Sequence, residues 1–256
     1  MRTVLKNILA FLAKFAIKKH KMEMIVILGI NGTEITKELA YTILSSKFKV
    51  RRVTNKPWWD LSIPLSILGY KDVKRSPLGW IFLIARSFIY LVFGPSNTGS
   101  IIINLNFLHK DTMNFWAKII YPDILILSSF KNDNKEVELF VQNTIKKAGR
   151  IIIHQESNFK NHYSDYKDSI YYISKEKGDF LFTSATKDNY VLNYNNESLE
   201  ISKKSLSLIP LDSFELAIAI GLLKSIPLKE SFYHAIKIDF GTLLQRIKTN
   251  IYKSEY

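Results

Sequence analysis

Residues Ile25–Leu44 read IVILGINGTEITKELAYTIL, and this stretch decides the fold. Its first four residues are an apolar run typical of a buried parallel strand. Gly29 and Gly32 bracket a tight turn, and Thr33 is expected to cap a helix that begins beside Glu34. A strand, a glycine turn and a helix in this order predict a loop whose backbone N–H groups cradle phosphate.

This loop lacks the side chains with which such loops handle a nucleotide. A lysine normally follows the last glycine and reaches the β- and γ-phosphates, and a serine or threonine then holds Mg²⁺. Here the two positions hold Thr33 and Glu34. An acid at a helix N-terminus interacts favourably with the helix dipole, so we expect Glu34 to take the place of a phosphate. The residues of this candidate phosphate loop are Gly29, Asn31, Gly32, Thr33, Glu34, Thr36 and Lys37.

The composition of the chain limits the classes of function. Its 256 residues, 47% of them hydrophobic, suffice for one sizeable core. The chain has no cysteine, which excludes disulfides and thiolate catalysis, and its five histidines lack paired spacing, so no metal site is predicted. The net charge of +13 suits an anionic partner. No nucleic-acid partner is expected, because no nucleic-acid-binding motif accompanies the basic strand predicted over Lys47–Val53.

The N-terminal segment, residues 1–22, is predicted to be a basic amphipathic helix. Its apolar face comprises Leu5, Ile8, Leu9, Leu12, Phe15 and Ala16. Two interpretations stay open: the face lies on the anionic inner face of the cytoplasmic membrane, or it packs on the domain that follows. A second apolar run, Trp80–Phe93, is too short to span a bilayer and carries Arg86. It predicts a mostly buried helix or an apolar patch that faces a partner.

The rest of the chain alternates strands and helices. Strands are predicted at Lys47–Val53, Ile101–Ile103, Asp123–Leu127 and Arg150–His154, and helices at Lys110–Ile120, Glu136–Ala148, Ser213–Lys224 and Lys229–Ile238. After Tyr171, short segments with turns at Lys187-Asp188 and Asn195-Asn196 predict a small antiparallel element at the sheet edge. The predicted fold is α/β: a mainly parallel sheet with flanking helices, like that of P-loop NTPases.

Several segments, taken in order, resemble the central, ATP-binding domain of the Mur ligases. GINGTEITKEL (Gly29–Leu39) resembles that family's G-x-x-G-K-T-T-T-K-E-L, and AKIIYPDILIL (Ala117–Leu127) resembles A-x-I-V-x-P-D-I-x-V-I. The segments Lys47–Gly69, Ala148–Ile153 and Leu216–Leu228 continue the match. The nearest resemblance is to the members that join D-alanyl-D-alanine to UDP-N-acetylmuramoyl-tripeptide. It implies a central-domain-like unit over residues 23–256, without the family's UDP-sugar and C-terminal ligase domains.

The departures from this pattern fall on residues that perform the family's chemistry. The resemblance places Trp58 and Trp59 where the family has paired asparagines, and Asn104 where it has a Mg²⁺-binding glutamate. The two tryptophans either contact a partner or fill the vacated space. His154 and Glu156 follow a buried strand, at the usual ligand position of such sheets, with no third partner visible in the sequence.

These residues predict a degenerate homologue, non-catalytic, that binds or scaffolds near peptidoglycan precursor synthesis in the cytoplasm. Neither a cofactor nor a catalytic residue is expected; ATP and Mg²⁺ belong to the ancestral site. One alternative is an ATP-dependent amide ligase of UDP-N-acetylmuramoyl-peptide synthesis, with its cation supplied by Lys37 or Arg246. Another is an anion or nucleotide sensor without hydrolysis. The partners considered are an anionic ligand or nucleotide, an anionic membrane surface, and a protein of the cell-wall pathway.

Overall fold

The computed structural model describes residues 2–29, 31–53, 60–70, 76–93, 99–105, 110–128, 135–154, 170–174, 180–238 and 241. The strands in these ranges are β1 (Glu23–Leu28), β2 (Val50–Arg52), β3 (Ser100–Leu105), β4 (Ile124–Leu127), β5 (Arg150–His154), β6 (Ile170–Ser174), β7 (Leu181–Ala185), β8 (Asn189–Tyr194) and β9 (Glu197–Ser202). The helices are α1 (Arg2–His20), α2 (Thr33–Ser45), α3 (Ser62–Ile67), α4 (Pro77–Phe93), α5 (Lys110–Trp116), α6 (Lys135–Ile145), α7 (Leu211–Leu223) and α8 (Leu228–Ile236).

The strands form one sheet in the order β2-β3-β1-β4-β5-β6-β7-β8-β9. Every pair from β2 to β7 is parallel, and β7, β8 and β9 pair antiparallel at the edge. The predicted α/β fold with its small antiparallel element is therefore confirmed. Strand order reverses beside β1, because the chain first builds β2 and β3 on one side and then β4 and β5 on the other. Ligands of such sheets bind at the carboxyl ends of the strands at this reversal.

The core lies on both faces of the sheet. Successive residues of a strand point to opposite faces, so Met24 and Val26 join one apolar cluster while Ile25 and Ile27 join the other. Helices α1, α5 and α6 cover the first face, and α2, α7 and α8 cover the second. Because both faces are covered, β1 is apolar without interruption from Met24 to Leu28 instead of alternating.

Helix α1 packs part of its predicted apolar face on the domain. Leu9, Leu12 and Ala16 are buried, whereas Ile8 and Phe15 are exposed. The interpretation that this face packs on the following domain thus holds for its inner half. The outer half points away from the core.

Of the two interpretations of Trp80–Phe93, α4 excludes the mostly buried helix and agrees with an exposed apolar patch. Only Leu83, Ser87 and Leu91 of the described α4 side chains are buried. The sequence could not decide between the two, because a helix that is apolar all round is typical of a core position and the sequence does not show how many neighbours surround it. Over the described ranges, no helix has both the length and the apolarity that crossing a membrane requires.

Candidate functional site

The candidate site begins at the loop that joins β1 to α2. Gly32 caps α2 with φ 75° and ψ −8°, and Thr33 is the first helical residue, so the prediction that Thr33 caps the helix is wrong. The reason is conformational: glycine adopts this left-handed geometry without strain. A Cβ at Gly32 would also lie 2.5 Å from Oγ of Ser213. Thr36 fixes the same turn, since its backbone N and Oγ1 donate to the Gly32 carbonyl at 2.9 and 3.0 Å.

Two serine hydroxyls hold this loop from opposite sides. Oγ of Ser128, at the end of β4, donates to the carbonyl of Asn31 at 3.0 Å. Oγ of Ser213, in the first turn of α7, donates to the carbonyl of Gly32 at 3.3 Å. The approach of β4 is close, because a Cβ at Gly29 would lie 2.7 Å from Cβ of Ser128. The loop is therefore clamped between β4 and α7.

A polar network starts at Glu34, the second residue of α2. Its Oε1 lies 2.7 Å from Nζ of Lys37, and its Oε2 accepts a hydrogen bond of 2.7 Å from Nδ2 of Asn104. Lys37 also donates to the carbonyl of Val53 at 2.9 Å and lies 3.6 Å from Oε1 of Glu38. Its side chain is 1% exposed. The ammonium group of Lys37 is thus enclosed by two carboxylates and a carbonyl.

The sheet register brings Asn104 to the loop. Strand β3 pairs with β1 in parallel, and Asn104 stands opposite Ile27, close to the end of β1. Asn104 is buried, and its Oδ1 has no hydrogen-bond partner among the residues that the structure describes. The amide therefore engages the network through its donor side, which faces Glu34.

The electrostatics of this network disfavour a further anion. Two unit charges of the same sign 4 Å apart repel by about 4 kcal/mol at an effective dielectric of 20. A phosphate oxygen brought to Lys37 would meet the Glu34 carboxylate beside the same ammonium group. Lys37 is the one basic residue of α2, and its charge is already compensated by Glu34, while Glu38 is shared between Lys37 and Arg52.

A second cluster lies beside the loop, where β5 meets the first turn of α7. Nε2 of His154 lies 3.7 Å from Oε2 of Glu215 and 3.5 Å from the carbonyl oxygen of Asp212. One potential ligand atom from each of these three residues lies within 4.8 Å of the others, a spacing that suits a metal ion. The sequence analysis identified His154 and missed Asp212 and Glu215. The sequence did offer a signal for Asp212, because it is an acid in the first turn of the helix that follows Pro210.

Four residues singled out in the sequence, namely Trp58, Trp59, Glu156 and Arg246, lie outside the described residues. The tryptophan pair therefore stays a prediction, with both interpretations open. The same holds for Glu156 as the companion of His154 and for Arg246 as a cation.

Comparison by sequence identifies one relevant similarity. The chain is 29% identical over 140 residues to the UDP-N-acetylmuramoyl-tripeptide–D-alanyl-D-alanine ligase of Borreliella burgdorferi. This match covers 54% of the chain and 28% of the ligase. No family model matches the chain.

Comparison by structure extends the similarity over most of the chain. MurF from Acinetobacter baumannii has a TM-score of 0.66 at 14% identity, over 93% of this chain and 50% of MurF. A pseudomurein peptide ligase type C from Methanothermus fervidus has a TM-score of 0.59 at 10% identity, over 86% and 50%. MurF ligase from Thermotoga maritima, solved with ADP, has a TM-score of 0.56 at 15% identity, over 91% and 52%. The chain thus spans about half the length of these solved proteins, and at such identities the likeness concerns the fold.

Proposed function

We propose, from the premise that this chain is a homologue of the Mur ligases, that it is a non-catalytic binding or scaffolding protein of peptidoglycan precursor synthesis. The resemblance seen in the sequence is confirmed by the similarity to the Borreliella burgdorferi ligase and by the shared fold. That similarity supports a role near this pathway and leaves the chain's own activity to be argued from its residues.

The observation that carries the proposal is the pairing of Glu34 with Lys37 and Asn104. A working phosphate loop presents a free cation to the phosphates. In this chain the position after Gly32 holds Thr33, and the nearby ammonium of Lys37 is bonded to Glu34. The residues present therefore do not fit a magnesium–triphosphate group, since the carboxylate of Glu34 competes with it for the same cation.

The adenine side of the ancestral site supports the same conclusion. By the resemblance, the family's adenine-side motif H-N-x-x-N is replaced near Ile209, Pro210 and Ser213 in this chain. The hydroxyl of Ser213 is instead bonded to the Gly32 carbonyl. Glu215, two residues after Ser213 on α7, lies 3.7 Å from Nε2 of His154 and adds a second carboxylate to this part of the chain, besides Glu34. An additional negative charge here disfavours a nucleotide, whose phosphates are anionic.

The test is ATP binding measured by calorimetry, with and without Mg²⁺. The unaltered chain is compared with Thr33→Lys/Glu34→Thr, which restores the two family residues, and with Ser198→Lys/Glu197→Thr, which makes the same charge change on exposed β9. We expect binding only in the first double variant. Tight, Mg²⁺-dependent binding by the unaltered chain would overturn the proposal, and Mg²⁺-independent binding would favour the sensor alternative instead. Absence of ATP binding in all three proteins would support a non-catalytic chain in which the loss of nucleotide-binding residues extends to Ser213.

The ligase alternative has its own measurement. The chain is supplied with UDP-N-acetylmuramoyl-tripeptide and D-alanyl-D-alanine, which the name of the Borreliella burgdorferi relative gives, together with ATP and Mg²⁺. Phosphate release is then followed. We expect none above the rate without protein, and release that depends on the dipeptide would contradict the proposal.

A further inference from the structure

The outer face of α1 carries an exposed apolar stripe. It consists of Val4, Ile8, Phe11 and Phe15, spaced by four, three and four residues, so the four side chains lie on one side of the helix. Phe11 is 68% exposed. The opposite side of α1 holds Leu9 and Ala13, which are fully buried. The stripe is thus distinct from the face by which α1 joins the core.

The outer face of α4 continues this pattern on a larger scale. Its exposed side chains include Leu78, Ile81, Phe82, Phe88, Ile89 and Phe93. Leu78 is 78% exposed and Phe93 is 81% exposed. Placing such residues in water is unfavourable by about 25 cal/mol for each Å² of apolar surface, which is a driving force for covering them.

The two helices lie side by side. Nζ of Lys19 donates to the carbonyls of Leu91 and, at 3.0 Å, Val92, while the rings of His20 and Tyr90 are 5.5 Å apart. Toward their N-terminal halves, Leu9 of α1 and Leu83 of α4 share one buried apolar cluster. The two stripes therefore lie on helices that pack against each other, and we name them together the α1–α4 surface.

This surface is larger than a water-soluble monomer usually exposes. With roughly 150–200 Å² for each large apolar side chain and between 37% and 81% of each exposed, its apolar area is on the order of 1,000 Å². The largest apolar patch of a typical monomer is about 300–600 Å², and larger patches mark interaction sites. The area of the α1–α4 surface is thus in the range typical of interaction sites.

The charges on its two helices have one sign. Neither α1 nor α4 contains an aspartate or glutamate. Among the described side chains of these helices, the exposed basic ones are Lys14 and Lys18 on α1 and Arg86 on α4. Lysines beside an apolar stripe can extend toward lipid phosphates while their stems stay on apolar surface. Each lysine or arginine near an anionic membrane contributes about 1 kcal/mol of binding.

We infer that the α1–α4 surface docks on an anionic membrane, with α1 and α4 lying in the headgroup region. An apolar face rimmed by lysine is the pattern of helices that lie in a membrane interface. A second copy of the chain is a poorer occupant, because it would bring the same lysines, and another net charge of +13, against this face.

The test is co-sedimentation of the full chain with vesicles of phosphatidylcholine that contain about one third phosphatidylglycerol, against vesicles of phosphatidylcholine alone. We expect binding at least ~10-fold stronger to the anionic vesicles, from the three exposed basic residues. Phe82→Glu/Ile89→Glu should abolish it. The matched control is Leu139→Glu/Leu208→Glu, which places the same charges at exposed leucines on α6 and before α7. That control should bind as the unaltered chain does.

A second pair of variants isolates the charge contribution. Lys14→Glu/Lys18→Glu should weaken binding to anionic vesicles by ~10-fold or more, whereas Lys187→Glu/Lys204→Glu, at exposed lysines around β8 and β9, should have a smaller effect. Circular dichroism establishes that each variant is folded. Equal loss in both control and test pairs would overturn the inference. So would a dimer by light scattering that persists with vesicles and leaves them unbound, which would assign the surface to a second copy.

Discussion

The ammonium group of Lys37 lies 2.7 Å from the carboxylate of Glu34, three positions earlier on α2, and is almost wholly buried. A buried charge that loses its partner is strongly destabilising, whereas a pair that is removed together is much less so. The pair therefore serves the fold of the loop whether or not any anion binds there. The contribution of this pair to stability can therefore be measured separately from ligand binding.

Removal of one partner of the Glu34–Lys37 pair leaves the other partner unpaired. The two single changes should therefore together cost more stability than the double change. We expect Glu34→Gln to lower the free energy of unfolding by about 2–4 kcal/mol, because Lys37 then keeps only Glu38 as a charged partner. Glu34→Gln combined with Lys37→Met should be more stable than the sum of the single changes, by about 1–3 kcal/mol. Urea denaturation gives all values, with exposed Glu197→Gln as the control. Strict additivity would contradict the coupling.

Asn104 offers an isosteric test of the same network. Asn104→Asp replaces the donor 2.7 Å from Oε2 of Glu34 with a carboxylate, so two like charges meet. We expect a loss of about 2–4 kcal/mol at neutral pH. One of the two carboxyls should then bind a proton in the folded state, so the loss relative to the unaltered chain should shrink as the pH falls. A loss that is constant with pH would indicate that the two groups do not face each other.

Gly32 combines a left-handed backbone with a close neighbour, and the two effects are separable. Gly69 also has a positive φ, 85°, but a Cβ there would meet Nη1 of Arg51 only at 3.4 Å. Gly69→Ala should therefore cost only the backbone strain, about 1–2 kcal/mol, and Gly32→Ala should cost more. Ser213→Ala, combined with Gly32→Ala, removes the hydroxyl that lies 2.5 Å from the added methyl, so it should recover the excess cost of Gly32→Ala over Gly69→Ala. Thermal unfolding of the unaltered chain and these three variants tests this. Equal costs at both glycines would refute the steric contribution.

His20 should make the protein sensitive to mild acid. Burial, followed by the positive charges of Lys19 and Arg51, lowers the pKa of His20 from its ordinary value of 6.5. Neither ring nitrogen has a hydrogen-bond partner in the described part of the chain. The unfolded state binds the proton more readily than the folded state. The stability that the neutral, buried His20 contributes is therefore fully present above pH 6.5 and is lost as the pH falls through the folded-state pKa.

The corresponding measurement compares the unaltered chain with His20→Phe. Urea denaturation is repeated from neutral pH down to about pH 5, a range that begins above the ordinary histidine pKa. The variant should lose less stability over this range, because phenylalanine has no proton to gain. The same slope in both proteins would show that another group is responsible.

The sequence predicted those features that depend on local pattern. The bounds of β5, Arg150–His154, follow from an apolar run that both layers of helices cover. The turn at Asn195 follows from paired asparagines, and Asn195 indeed has a φ of 51°. Features that depend on distant contacts were not predictable from the residues alone. Glu215 meets His154 only because α7 lies against β5, and the exposure of α4 depends on where its neighbours stop.

The contact of Lys19 with the last turn of α4 has a consequence for how the N-terminal segment can be regulated. The final carbonyls of a helix need donors, and Lys19 supplies them to Leu91 and Val92. Because Leu9 and Ala13 also fill the core, the release of α1 by a protease would remove buried apolar contacts from the domain. Under the membrane-docking inference, acetylation of Lys14 or Lys18 is the less disruptive way to weaken attachment, since it removes charge and leaves the backbone whole.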